Sequence, residues 1–64
     1  MDLIDIKECC RMIGGNRPVH PSTCYRLIQR KLWPKACHVG GSSRWIKAEC
    51  ESALAAMVES RHAG

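Results

Sequence analysis

The chain has 64 residues, 45% apolar and 25% charged, with ten Lys and Arg against six Asp and Glu for a net charge of +4. That length makes one small domain, apolar enough to fold; no apolar run approaches the ~18–20 residues of a membrane span. No signal peptide is expected, since Asp2 and Asp5 stand where a basic leader would, and a core this small can hardly wall a catalytic pocket of roughly 300 Å³, so a cytoplasmic non-enzyme is expected.

The first element is a helix over about 5–13. Asp5 is a good N-cap, Glu8 completes a capping box three residues on, and Ile4 can staple onto Cys9. Ile6, Cys9, Cys10 and Ile13 recur at i, i+3, i+4, i+7, and Gly14-Gly15 stops the helix. Asn16 to Val19 form a turn. A second helix over about 21–31 starts with His20 at the N-cap and Pro21 at N1. Cys24, Leu27 and Ile28 face inward; Ser22, Thr23, Arg26, Gln29 and Arg30 form an outer stripe that can hydrogen-bond throughout. Trp33-Pro34 ends that region. Two short runs around Gly40-Gly41-Ser42-Ser43 predict a hairpin over about 36–46. A closing helix over about 47–60 carries Ile46, Cys50, Ala53, Leu54, Met57 and Val58 at helical spacing, and residues 61–64 are expected to fray.

The charges are unevenly placed. Every acid lies at an end: Asp2, Asp5 and Glu8, then Glu49, Glu51 and Glu59. From Cys9 to Ala48 there is none, while Arg11, Arg17, Arg26, Arg30, Lys31, Lys35, Arg44 and Lys47 give that stretch +8. A one-signed centre suits a polyanion, which attracts it at long range and releases counterions on binding.

Helix, turn, helix and hairpin in that order, with a cationic stripe on the second helix, predict a mainly α fold with a small β-hairpin: a winged helix-turn-helix in a single domain, 1–64. Such a helix fits the DNA major groove. Arg26 can pair with guanine and Gln29 with adenine; Ser22 and Thr23 can reach bases or phosphates, and His20 lies where the helix N-terminus favours a phosphate. The Gly-rich hairpin lets the backbone approach DNA, where Arg44 can enter a minor groove or clamp a phosphate. Lys31, Lys35 and Lys47 are assigned to long-range field only. Tyr25 either packs its ring on the wing or offers its hydroxyl to a phosphate. Trp33 and Trp45 close the core around the hairpin, or present a stacking platform for single strands.

Leu3-Ile4-Asp5-Ile6-Lys7-Glu8, Ser22-Thr23-Cys24-Tyr25-Arg26-Leu27-Ile28, Trp33-Pro34-Lys35, Val39-Gly40-Gly41 and Arg44-Trp45 occur in order over about residues 3–58. In this the chain resembles the AlpA-type prophage regulators, small relatives of the phage excisionases and of MerR-like winged-helix DNA-binding domains. The resemblance implies that the helix from Pro21 is the recognition helix and residues 36–46 the wing. It also implies a role as a transcriptional regulator of prophage genes or as a recombination directionality factor. The turn from Gly14 to Val19 is longer than the three or four residues common in helix-turn-helix units, and it brings Arg17 toward the expected DNA surface as a further phosphate contact.

Five cysteines in an odd set without a leader read as reduced thiols. Cys9, Cys24 and Cys50 fall on apolar helix faces and suit buried packing. Zinc is the sharper reading of Cys37-His38 with Cys9-Cys10, yet C-x₂-C and H-x₃-H spacings are lacking. No cofactor or metal is expected. The expected partner is double-stranded DNA, with cooperative contacts between copies and an integrase or the transcription machinery nearby. The rival is an adaptor that docks an integrase or repressor and never touches DNA.

Overall fold

A computed structural model describes residues 2–63, with side chains through residue 60. Its order is β1 (Leu3–Ile4), α1 (Ile6–Gly14), α2 (Pro21–Gln29), β2 (Cys37–Val39), β3 (Ser42–Ile46) and α3 (Lys47–Ala63). Three helices pack with a three-stranded antiparallel sheet of order β1-β3-β2, so the fold is mixed α/β.

α1 starts where Asp5 caps it: the Asp5 carboxylate accepts from the Glu8 backbone N–H at 3.0 Å. The reciprocal half of the expected capping box is not made. The Glu8 carboxylate turns forward and forms a two-pronged pair with the Arg11 guanidinium, with Nε to Oε1 at 2.9 Å and Nη2 on Oε2. An i, i+3 cation offers two charged donors, against one neutral backbone N–H behind. Ile4 does not act on α1 alone. It is drawn into β1, which pairs with β3 in the register Leu3 to Ile46 and Ile4 to Trp45. The Lys47 N–H extends that pairing by donating to the Asp2 carbonyl at 2.9 Å.

The turn between α1 and α2 is tied back to α1 where the Val19 N–H donates to the Cys10 carbonyl at 3.2 Å. Gly14 permits this approach: a Cβ there would lie 3.0 Å from the Val19 nitrogen. α2 begins with His20 at the N-cap and Pro21 at N1, as expected. It ends at Gln29, short of the expected Lys31. The Leu32 N–H donates to the Leu27 carbonyl at 2.9 Å and the Lys31 N–H to the Ile28 carbonyl at 3.0 Å, a Schellman ending. Lys31 takes the left-handed conformation at φ 62°, where glycine is usual.

β2 and β3 pair as Cys37 to Arg44, His38 to Ser43 and Val39 to Ser42. Gly40 and Gly41 form the two-residue turn, both at positive φ (58° and 82°), as the primed hairpin turns require. α3 follows β3 without a break and continues through residues 61–63, which were expected to fray; Gly64 lies outside the described residues.

The core is unusual in composition. Its buried members are Cys9, Cys10, Cys24, Cys50, Trp33 and Trp45, ringed by Ile4, Ile13, Leu27, Ile28, Leu54 and other half-buried side chains. With no Phe in the chain and no fully buried aliphatic side chain among the described residues, two large indoles supply bulk and small thiols fill between them. The Trp45 indole N–H donates to the Pro34 carbonyl at 2.9 Å, which fixes the α2–β2 connection on the sheet. The Trp33 N–H is buried without a hydrogen-bond partner.

Candidate nucleic-acid interface

α2 divides cleanly. At about 100° per residue, Thr23, Cys24, Leu27 and Ile28 occupy one side and are buried or half-buried. Pro21, Ser22, Tyr25, Arg26 and Gln29 occupy the other and are exposed, as is the cap Arg30. The outward stripe therefore centres on Ser22, Tyr25, Arg26 and Gln29. Thr23, expected on that stripe, lies at its edge and is half-buried, because it sits one turn before the inward Leu27.

Two of the expected contacts already have work inside the protein. The His20 ring nitrogen Nδ1 accepts from the Ser22 backbone N–H at 3.1 Å, so it carries no proton in this geometry. The Ser22 hydroxyl lies 2.9 Å from the same nitrogen, so backbone and side chain of Ser22 both meet the ring. The Nδ1 lone pair is already used by the backbone N–H, and the hydroxyl keeps acceptor lone pairs for an outside partner. Sequence reasoning placed both residues at the helix start and missed their mutual engagement. The signal was the His at an N-cap two residues before a Ser.

Arg17, Arg26, Gln29 and Arg30 are exposed, and no hydrogen bond or ion pair holds their side chains among the described residues. Arg44 is half-buried on β3, and its guanidinium donates to the Ser43 carbonyl at 3.1 Å, which holds it against the hairpin. Of the eight cations between Cys9 and Ala48, Arg11 is the one paired with an acid among the described residues. Glu8 holds it, and in return Arg11 keeps the Glu8 carboxyl below the usual carboxylate range, chiefly through their hydrogen bond. The remaining seven form no ion pair among the described residues, although Lys47 lies near enough to Glu8 to help lower its carboxyl.

Tyr25 packs as well as faces outward. Its ring centroid is 6.4 Å from that of Trp45, tilted by 53°, while 47% of the residue stays exposed. The ring thus links α2 to β3. A stacking platform built on the tryptophans is ruled out by burial: Trp33 is 3% exposed and Trp45 0%.

The thiols separate into two kinds. Cys9, Cys10, Cys24 and Cys50 are buried; Cys37 is exposed on the edge strand β2 beside exposed His38. Burial pushes the Cys24 and Cys50 thiols up to about 12 and raises Cys9 and Cys10 as well. Among the described residues no three His, Cys, Asp or Glu side chains gather at metal-binding spacing. Also among them, no helix is long and apolar enough to cross a membrane. Compared with protein-family models, curated proteins and solved structures, the chain finds no match.

Proposed function

We propose that this protein binds double-stranded DNA in the cytoplasm, without catalysis, as a winged helix-turn-helix module. α2 enters the major groove with Arg26 and Gln29 on base edges, and the β2–β3 hairpin lies alongside as the wing with Arg44 on a phosphate or in the minor groove. Arg17 and Arg30 neutralise phosphates on either side. His20 shapes the start of α2 and holds Ser22, which reaches a base or phosphate; Thr23 reaches the backbone from the edge of the stripe. The resemblance to prophage regulators and excisionases makes transcription control or recombination directionality the biological setting.

One observation carries this reading: the exposed half of α2 presents Arg26 and Gln29 without hydrogen-bond partners, among seven cations that form no ion pair among the described residues, with the acids at the chain ends. A helix face kept for solubility alone usually mixes its signs. The test is a comparison of Arg26→Ala with the parent protein on its selected site and on random duplex. Binding to the selected site is expected to weaken by about 1–3 kcal/mol with relaxed preference. Equal loss on both would make Arg26 a phosphate contact, and an absence of DNA binding at low salt would favour the adaptor.

A further inference from the structure

A groove of about 690 Å³ runs between α3 and the segment that leaves α2, and none of the predicted DNA contacts lines it. Ile28, Leu32 and Pro34 form one wall; Ala53, Ala56 and Met57 form the other. Leu32 is 44% exposed on that surface. Lys31 and Lys35, both exposed, stand along the first wall. On α3 the lining residues Ala53, Ala56, Met57 and Ser60 recur at i, i+3, i+4, i+7, the stripe by which a helix packs on another helix. Yet from Ala55 to Ser60 every residue but Met57 is exposed. α3 has 17 residues and spans about 25 Å on a molecule 41 Å long and 22 Å across, and among the described residues its second half has little of this chain against it.

We propose that this groove receives α3 of a second copy of the chain, in an antiparallel two-fold pair. Charge favours that occupant. Lys31 and Lys35 line the groove against one acid, Glu49 of the same chain's α3, and Glu59 lies on the flank of the α3 stripe. An incoming α3 brings a second carboxylate, that of Glu59, to the lysines. Shape agrees: Ala53 and Ala56 let a helix approach closely, and Met57 adapts to the fit. Symmetry completes it. Because one wall of the groove is α3 itself, antiparallel pairing seats each helix in the other's groove and closes the assembly.

The pairing does not depend on DNA, so it is measured without DNA. Sedimentation equilibrium of the full chain from about 1 µM to 1 mM should show the 7.2 kDa monomer giving way to twice that mass. Ala56→Glu changes an exposed lining residue and should hold the protein monomeric at about 1 mM. Lys31→Glu with Lys35→Glu should raise the dissociation constant by about tenfold or more, and adding Glu59→Lys should recover part of that loss. A monomer at every concentration would overturn the proposal and leave the groove to an acidic helix of another protein. A dimer indifferent to both Ala56→Glu and the charge reversals would overturn it equally.

Discussion

Lys31 occupies a backbone conformation that an L residue adopts at a disadvantage of about 1–2 kcal/mol, because Cβ crowds the carbonyl. The two Schellman hydrogen bonds hold the turn regardless. Lys31→Gly is therefore expected to raise unfolding stability by about 0.5–1 kcal/mol, after glycine's greater freedom in the unfolded chain is offset. Urea denaturation measures this; a loss of stability would mean the lysine side chain contributes more than its backbone strain removes. The thiols give a second expectation at this scale. Iodoacetamide at neutral pH should modify Cys37 quickly and the other four only after unfolding, counted by mass. Cys24 and Cys50 hold their protons in the folded protein up to about 12, against an ordinary value near 9.0. The unfolded chain thus releases those protons first, and stability should fall as pH rises above about 9. Much of this scale escaped sequence reading. Burial of Cys9, Cys24 and Cys50 followed from helical spacing. The turn of Glu8 toward Arg11, the mutual bond of His20 and Ser22, and a lysine at a glycine position depend on choices among near-equal local partners.

At the scale of elements, the helices and the hairpin were legible because each repeats its signal: apolar residues at helical period, glycines between two short runs, Pro at N1. β1 was not legible. Two residues form no period, and Leu3 and Ile4 become a strand only because β3, some forty positions on, offers its edge. The hairpin turn is the element most open to a direct check. Gly40 and Gly41 both lie at positive φ with no neighbour that a Cβ would touch, so their requirement is conformational and not steric packing. Gly40→Ala should destabilise the fold by about 1 kcal/mol, with the loss concentrated in amide protection across Cys37–Val39 and Ser42–Ile46. Uniform loss of protection would instead mean that the hairpin unfolds only with the whole domain.

At the scale of the molecule, a total of +4 says little, and its distribution says more. The structure sharpens that distribution by removing Arg11, which Glu8 neutralises, and leaving seven cations with no ion pair among the described residues. The groove beside α3 was beyond sequence reading, since its two walls come from segments some twenty residues apart. A chain of this size offers one module's worth of interface, of about 600–1,000 Å², and pairing through α3 would double it. The central claim is that the cationic face meets DNA phosphates. It is tested most directly by the salt dependence of affinity for duplex DNA. If Arg17, Arg26, Arg30 and Arg44 displace counterions, log affinity should fall against log salt with a slope of about −3 to −4. A flat response, or no binding at low salt, would contradict it.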